Sequence, residues 1–468
     1  MIELIKVILA IFCAAIPFAV GQRFGLLQYA SPMHIVAYLA FLGFTVKAVV
    51  FSLSPELAFF SNFTVSDEDI GWGYFYLTSF IIAMTVGYVI FASKRSKIDI
   101  KDVINFSSRI RSPAWILFIG IASAIITTYF YFTLRELGEI DAENSLDTLR
   151  QLNAGKVVAI QGRIDTNNSF AAIRIFYVIP VACFALLLFK YLSHKNGRYL
   201  SYIFTLISVI IVVAIVKGTR RDLLDAALIT LAVFSLASTK IMKKAVITGI
   251  LATPVILVVF SFMSNLRDKD VSLVQDDLIS LESLQPIVTS TYFLDINLPT
   301  LIQAYVRDDQ MLNGESYVSW TFAWIPRAFW ADKPAIDPGI YIKQEVFGIK
   351  NPGGFNATAA GEAFLNFGWF GVVVGFMLGL GLRKIEEFLL SDSMLSRNIG
   401  ALYYVVPFCL GTQTILQSSF SGAVVSSAAQ VIVLWILCRF TIGPPKAGVQ
   451  RKRSTAKAWQ VRAELRST

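Results

Sequence analysis

The sequence predicts an all-α polytopic membrane protein, in which about eleven transmembrane helices form a bundle beneath one large outward loop. Three observations predict this class. The 468 residues are 55% hydrophobic and only 16% charged, which is far more apolar than a soluble chain of this length. Apolar windows long enough to cross the roughly 30 Å bilayer core recur along the chain. A long polar segment at 264–364 interrupts them.

Each apolar window is expected to form one membrane-spanning helix. The predicted spans are 4–20, 34–53, 72–91, 113–132, 173–192, 199–216, 223–237, 245–263, 365–382, 399–416 and 422–440. Helices 1–8 therefore fall within 1–263, together with an outward loop at 133–172. Helices 9–11 fall within 365–440, and a basic tail at 441–468 follows. The prolines and aromatic residues of 264–364 predict short surface helices and loops that cover the bundle.

Lysine and arginine predict the orientation of the bundle, because cytoplasmic connections of membrane proteins are enriched in both. Basic residues occupy every second connection, and the C-terminal tail is basic as well. These segments are expected to be cytoplasmic, which leaves 54–71, 133–172 and 264–364 outside. The net charge of +9 then reflects topology and anionic lipid rather than nucleic acid.

Cysteine and histidine exclude several kinds of site. The four cysteines all fall within predicted spans, so no disulfide framework or zinc spacing is present: Cys13, Cys183, Cys409 and Cys438. His34 and His194 lie at span ends and are expected to be interfacial. Lys47 lies in the middle of a span, where a structural ion pair is expected. No phosphate-binding glycine loop occurs, so the energy for any reaction must come from the substrate.

The segment Gly218-Thr-Arg-Arg-Asp222 places two adjacent arginines on an outward connection, against the usual charge distribution. A guanidinium binds phosphate through two parallel hydrogen bonds, so Arg220 and Arg221 are candidates for binding a diphosphate. The alternatives are that both reach lipid phosphates, or that Arg221 pairs with Asp222.

A second group of cations lies in the large loop. Arg327 and Lys333 flank Trp330, and Pro326 and Pro334 restrict the backbone on each side. The two cations are expected to close over the same phosphates, with Trp330 offering a flat face to a sugar ring. The alternative is an interfacial aromatic belt with snorkelling cations.

Glu362 directly precedes the predicted span at 365–382, where the positive pole of the helix dipole favours a carboxylate. This position suits a general base that activates a sugar hydroxyl, or a partner that orients Arg220 or Arg327. A capping carboxylate is the alternative. Asn366 is expected to bind sugar hydroxyls, although such residues also form ordinary caps.

The run Asp67-Glu-Asp69 on an early outward loop is a candidate for a divalent metal. Ser66 directly precedes it, which is typical of a helix start. We therefore interpret the acidic run as an acidic helix N-terminus, and no metal cofactor is expected.

Taken in order, these segments resemble the bacterial oligosaccharide repeat-unit polymerases, the Wzy or O-antigen polymerase family. The resemblance rests on Gly314-Glu-Ser-Tyr317, Ile325-Pro-Arg327, Trp330-Ala-Asp-Lys-Pro334, Thr358, Gly361-Glu362, Asn366-Phe-Gly368 and Gly218-Thr-Arg-Arg221. These motifs cover about an eighth of the chain. Outside them, only the many-span topology compares.

The resemblance implies a GT-C-like bundle in the bacterial inner membrane whose active site faces the periplasm. It implies a glycosyltransferase that moves a polymer en bloc from undecaprenyl diphosphate onto a single lipid-linked repeat unit, with a chain-length regulator as a further partner. Arg327 together with Arg220 or Arg221 would stabilise the leaving diphosphate, and Glu362 would deprotonate the acceptor hydroxyl. Lys333, Tyr317, Trp330 and Asn366 would bind substrate.

Two other functions remain open from the sequence. One is another lipid-linked GT-C glycosyltransferase or an O-antigen ligase, although ligases of this kind use an outward histidine that this chain lacks. The other is a lipid-linked glycan flippase or polysaccharide exporter. A flippase would be expected to show an internal repeat and cations deep in several spans, whereas here the cations cluster on one outward face.

Overall fold

The fold is a bundle of α-helices. The computed structural model describes residues 2–92, 110–137, 167–217, 221–237, 293–325, 329–330, 333, 336–349, 354–396 and 400–442. Within these ranges the regular structure is helical, apart from one isolated bridge between Ile110 and Ile442. The predicted span at 245–263 and almost all of the basic tail lie outside the described residues.

Thirteen helices organise the described residues. They are α1 Ile2–Phe24, α2 Pro32–Leu53 with a π-helical turn at Phe41–Thr45, α3 Asp67–Ile90, α4 Pro113–Leu137, α5 Asn167–His194, α6 Gly197–Lys217, α7 Arg221–Ala237, α8 Asn297–Tyr305, α9 Glu315–Val318, α10 Thr358–Phe367, α11 Gly371–Leu389, α12 Cys409–Gln417 and α13 Phe420–Thr441. Shorter helical turns occupy Gly339–Tyr341, Ile342–Val346, Asp392–Ser396, Gly400–Tyr403 and Tyr404–Phe408.

Six of these helical stretches are long and apolar enough to cross a membrane. They are Glu3–Phe24, Pro32–Leu53, Asp67–Ile90, Gly197–Ala214, Thr358–Leu389 and Phe420–Thr441, and Pro113–Tyr129 and Val178–His194 are shorter apolar helices. The chain is therefore a polytopic helical membrane protein. The number of about eleven spans and the fold of the whole outward loop stay predictions.

Helices α3 and α11 pack in parallel through a seam of glycines. Gly371, Gly375 and Gly379 recur every four residues on α11 and face Tyr76, Phe80 and Met84 of α3 in the same order. A Cβ atom on Gly379 would overlap the Met84 carbonyl oxygen. Small residues let two transmembrane helices approach closely enough for backbone contact. Because the two helices run in the same direction, Asp67 and Gly371 lie at one end of the bundle.

The opposite end of the bundle is held by a buried charge network around Arg383. Its guanidinium donates to the carbonyl oxygen of Phe24 at 2.6 Å and forms an ion pair with Glu386 at 3.3 Å. Tyr88 and Tyr404 donate their hydroxyl protons to the Glu386 carboxylate. This end, which we call the Arg383 end, is distinct from the end at which α10 and α11 meet.

The segment at 293–305 packs inside the bundle. Asp295 is fully buried and forms an ion pair with Lys47 of α2, which confirms the ion pair expected for that lysine. Thr300 packs directly against Gly73 of α3. The prediction that short helices of the large loop lie on the surface is therefore wrong for α8. Irregular backbone at this depth is acceptable because protein surrounds it.

The predicted span at 365–382 lies within the apolar helical stretch Thr358–Leu389, and a break at Gly368 divides this stretch into α10 and α11. Gly368 has φ of 55° and ψ of −134°, a backbone conformation that only glycine adopts readily. The helix that carries Glu362 has already begun at Thr358, ten residues before this break. Glu362 therefore lies within a separate short helix, and the transmembrane helix α11 starts at Gly371.

His34 lies in the first turn of α2, at the end of a span as predicted, and its side chain is buried within the protein. Its ring is fully buried, and Nδ1 lies 2.8 Å from the Ser31 hydroxyl and accepts from the Ser31 backbone at the start of α2. The acidic run at the start of α3 is a helix N-terminus, as the sequence indicated. Ser66 and Asp69 form a reciprocal capping box there.

Candidate functional site

Glu362 is at the centre of a buried polar cluster. Its side chain is 1% exposed. One carboxylate oxygen accepts a hydrogen bond from the Ser316 hydroxyl at 2.7 Å, and the other accepts from the backbone N–H of Phe420 at 2.7 Å. These donors belong to α9 and to the first residue of α13. Three segments that are far apart in the sequence therefore meet at this carboxylate.

Asn366 holds Ser316 and Glu362 together. Its amide nitrogen donates to the Ser316 hydroxyl at 2.8 Å and to the Glu362 backbone carbonyl at 2.7 Å. Its amide oxygen accepts from the backbone of Gly314 at 2.9 Å. Every polar atom of this side chain is thus engaged within the protein. Asn366 lies at the predicted site, and its hydrogen bonds connect α9 to α10. Its role in binding sugar stays a prediction.

Tyr317 lies beside the same carboxylate. Its ring stacks on Phe367 and packs against Phe420, with ring centroids 6.0 Å and 5.4 Å away. Its hydroxyl is buried and has no hydrogen-bond partner among the residues that the structure describes. Burial, together with the nearby Glu362 charge, raises the pKa of Tyr317. The hydroxyl therefore stays protonated and is available as a donor.

Arg221 begins α7 and lies at the same end of the bundle. Its guanidinium donates to the Thr414 hydroxyl at 2.6 Å and lies 3.8 Å from the Asp225 carboxylate. The side chain is 43% exposed, so it contacts the protein on one side and remains accessible on the other. The described contacts pair Arg221 with Asp225 one helical turn away. Arg220 lies outside the described residues.

The stretch from Thr414 to Phe420 connects the cation to the carboxylate. Thr414 accepts from Arg221, and Phe420 donates to Glu362. Between them, the Ser418 hydroxyl donates to the Asp337 carboxylate at 3.1 Å. Thr414 lies in the last turn of α12, which rises about 1.5 Å per residue. Arg221 and Glu362 therefore lie at one end of the bundle, which we call the Glu362 end.

The remaining predicted residues lie in a less regular part of the loop. The Lys333 ammonium donates to the backbone carbonyls of Ala323 and Ile325 at 3.3 Å and 2.9 Å. These bonds connect two parts of the loop that carries Lys333. Trp330 is 36% exposed and packs edge-on against Phe322. Arg327 lies outside the described residues. The structure thus brings Glu362, Asn366 and Tyr317 together and places Arg221 near them.

Sequence reasoning missed two residues of this site. Asp337 accepts from the backbone of Gly339 at 2.9 Å as well as from Ser418. Its sequence Asp337-Pro-Gly339 is typical of a turn and gave no sign of a second carboxylate near Glu362. Ser316 lies within the motif Gly314-Glu-Ser-Tyr317, and the sequence alone indicated no role for it. Only the long-range packing of α9 against α10 and α13 reveals both.

Thr358 marks the start of the helix that carries Glu362. It is a buried, β-branched residue with φ of 61°, in the left-handed region that such residues rarely adopt. Strain of this kind typically costs about 1–3 kcal/mol and persists only where the surrounding structure imposes it. The packing of α10 against α8 is such a constraint, since Gly361 contacts Ile302 and Pro299.

Comparison with known proteins identifies a family for most of the chain. The family model described as O-antigen polysaccharide polymerase Wzy matches residues 3–297. No curated protein and no solved structure matches the chain. The matched residues include Arg220 and Arg221 and end before Ser316 and Glu362. The family match therefore covers the cationic part of the site, and the carboxylate part rests on the geometry.

Proposed function

Because this chain belongs to the O-antigen polysaccharide polymerase Wzy family, we propose that it polymerises oligosaccharide repeat units carried on undecaprenyl diphosphate. The growing glycan is transferred as a block to a sugar hydroxyl of one new lipid-linked unit. A glycosidic bond forms at the anomeric carbon while its bond to the diphosphate oxygen breaks. The hydroxyl proton passes to a base, and undecaprenyl diphosphate leaves. The glycan is already activated, so no nucleotide is consumed.

One observation carries this proposal: Thr414–Phe420 is hydrogen-bonded to a cation at one end and to a buried carboxylate at the other. A departing diphosphate needs guanidinium donors where negative charge develops. An attacking hydroxyl needs a base within hydrogen-bond reach. Arg221 and Glu362 supply these two groups. We assign Arg220 and Arg327 to the same diphosphate, and Trp330 and Lys333 to the substrate above it.

Glu362 suits the role of the base because its orientation is fixed and its lone pairs are not all used. An ionised carboxylate offers about four acceptor positions, and Ser316 and Phe420 occupy two of them. No described residue uses the remaining positions, and we assign them to the acceptor hydroxyl. The Tyr317 hydroxyl is a neutral donor close to the same place. No metal is required by this mechanism, so turnover should be insensitive to a chelator.

The Glu362 end is proposed to face the periplasm, and the Arg383 end the cytoplasm. The basic residues Arg383 and Lys384 lie at the C-terminal part of α11, where cytoplasmic connections are normally enriched in positive charge. A glycan that has been moved across the inner membrane would then reach the site from the periplasmic leaflet.

Complementation tests the proposed function. The chain is expressed in cells that make the matching repeat unit but lack their own polymerase, and the glycans are separated by size. We expect a ladder of long chains to replace the single-unit product. A single-unit product despite normal amounts of the protein in the membrane would overturn the proposal. Accumulation of the unit on the cytoplasmic face without the protein would instead indicate a flippase.

A further inference from the structure

A continuous set of polar side chains lies between Arg221 and Glu362. We call it the polar seam and define it as Gln413, Thr414 and Gln417 of α12 together with Ser418. The Gln413 amide nitrogen donates to the Asp225 carboxylate at 3.2 Å and to the Gln417 amide oxygen at 3.3 Å. Positions three and four residues apart share one face of a helix. The seam therefore faces α7 and continues toward the Glu362 carboxylate.

Gln417 has an unsatisfied donor in this seam. The residue is 7% exposed, and its amide oxygen is used by Gln413. Its amide nitrogen is buried and has no hydrogen-bond partner among the described residues. Buried donors are almost always paired in native proteins, and an unpaired one is costly. An oxygen acceptor supplied by a ligand would satisfy it.

The neighbours of Gln417 specify what kind of ligand fits. The next residue, Ser418, donates to the Asp337 carboxylate, and Phe420 binds Glu362. The seam therefore carries a buried donor amide at Gln417 and, at the next residue, a hydroxyl that is bonded to a carboxylate. Neutral groups that both donate and accept hydrogen bonds suit this combination. Sugar hydroxyls have this property, whereas a lipid tail does not and a phosphate would be repelled by Asp337.

We propose that the polar seam is the binding site for the acceptor sugar, with the Gln417 amide donating to one of its hydroxyl oxygens. This proposal rests on the polymerase function proposed above and adds the subsite from which the attacking hydroxyl approaches Glu362. Asp337 accepts from a neighbouring hydroxyl of the same sugar. A site that pairs a buried amide with a hydroxyl discriminates strongly against an analogue that lacks the hydroxyl.

A binding experiment tests the subsite on the full-length chain in detergent. The first probe is the repeat-unit oligosaccharide freed from its lipid diphosphate by mild acid, and the second is inorganic pyrophosphate. The variant Gln417→Met keeps the length of the side chain and removes its amide. We expect it to weaken oligosaccharide binding about ten-fold and to leave pyrophosphate binding unchanged. Arg221→Lys should weaken pyrophosphate binding and leave oligosaccharide binding unchanged.

Gln430→Met provides the matched control. Gln430 is also buried, at 3% exposure, and also has an unpartnered amide atom, but it lies about three turns into α13, away from Glu362. The variant Gln430→Met should leave the binding of both the oligosaccharide and pyrophosphate unchanged. Equal weakening by both glutamine variants would show that the effect is general and would overturn the proposal. Unchanged oligosaccharide binding by folded Gln417→Met would overturn it too.

Two further measurements keep the outcomes separate. If Gln417→Met loses its cooperative thermal transition, the variant Asp337→Asn tests the subsite in its place. We expect Asp337→Asn to weaken oligosaccharide binding. Unaltered binding by this variant would refute the subsite. Polymerisation by the same wild-type preparation is measured in parallel. A wild-type chain that makes no polymer from the lipid-linked unit refutes the proposed function. A polymerising wild type with unaffected seam variants refutes only the subsite.

Discussion

Four carboxylates are buried among the described residues, and they differ in what holds them. Asp225 lies 3.8 Å from the Arg221 guanidinium. Asp295 is paired with Lys47, and Glu386 is paired with Arg383. Glu362 is hydrogen-bonded by a hydroxyl and a backbone N–H, and no cation is bonded to it within the described part of the chain. Burying a charge without an ion pair costs free energy, and a residue that bears this cost often has a functional role. This difference supports the proposal that Glu362 is the reactive carboxylate.

The variant Glu362→Gln tests this assignment. Glutamine keeps the size and one acceptor oxygen but cannot take a proton from the acceptor hydroxyl. We expect polymerisation to fall at least about 100-fold, since general bases contribute roughly that much or more. The rate is measured with purified lipid-linked repeat unit. Asp67→Asn is the control, since Asp67 is an exposed carboxylate at the start of α3, and its rate should stay within about two-fold of the wild type.

At the scale of helices, the glycine seam of α11 decides how closely α3 and α11 pack. Gly379 faces Met84 and Tyr88, whereas a Cβ atom on Gly381 would meet nothing within 4 Å. The two glycines are two residues apart on the same helix, so they share its helix propensity and depth. A comparison of the two therefore isolates the packing contribution.

We expect Gly379→Ala to destabilise the protein by about 1–3 kcal/mol, as overpacking commonly does. Gly381→Ala should be neutral within about 0.5 kcal/mol or slightly stabilising, because alanine favours a helix over glycine. Thermal unfolding in detergent measures both. Equal destabilisation by the two variants would mean that α3 and α11 do not meet along this face.

The buried ion pair between α2 and the 293–305 segment gives a second prediction at this scale. Lys47→Met leaves Asp295 charged and unpaired, so we expect a loss of about 3–5 kcal/mol. Asp295→Asn in the same chain removes that charge and retains an oxygen for the backbone of Leu298, which Asp295 binds at 3.3 Å. The double variant should recover most of the lost stability. A double variant as unstable as Lys47→Met would contradict the pairing.

Sequence periodicity located the helices well, because apolar windows follow directly from the bilayer thickness. The helix start at Ser66 and the ion pair of Lys47 also followed from local rules. The break at Gly368 was missed, because an isolated glycine in an apolar run gives no measure of its backbone angles. The burial of α8 depends on contacts with distant helices, and the burial of His34 depends on how α1 packs against α2 through Phe18 and Gly21. Local sequence patterns carry no information about such contacts.

The candidate site could be predicted only in part. Glu362 and Arg221 were found because charges at the end of apolar spans are conspicuous. Their arrangement was not predictable, since Ser316 is 46 residues and Phe420 is 58 residues from Glu362 in the sequence. Asp337 looks like an ordinary turn residue and Gln417 like an ordinary helix residue until the fold brings Asp337 to Ser418 and buries the Gln417 amide. The roles of Arg220 and Arg327 stay predictions.

At the scale of the whole molecule, the described connections after α1 and after α2 lie at opposite ends of the bundle. Phe24, Tyr88 and Arg383 meet at one end, and Tyr305 donates to the carbonyl of Thr64 at the other, 3.0 Å away. The Thr64 connection, α8 and the Glu362 cluster are therefore neighbours. A shared active site requires that the cations and the base lie on one side of the membrane, where lipid-linked glycans arrive.

Cysteine accessibility measures this requirement most directly. The four native cysteines are replaced, and single cysteines are introduced at Asp222 beside Arg221, at Glu315 beside Ser316, and at Lys384 on the opposite end. A maleimide that cannot cross membranes is then added to spheroplasts. We expect Asp222→Cys and Glu315→Cys to be labelled at once and Lys384→Cys only after permeabilisation. Labelling of Asp222→Cys and Glu315→Cys from opposite sides of the membrane would contradict a shared site.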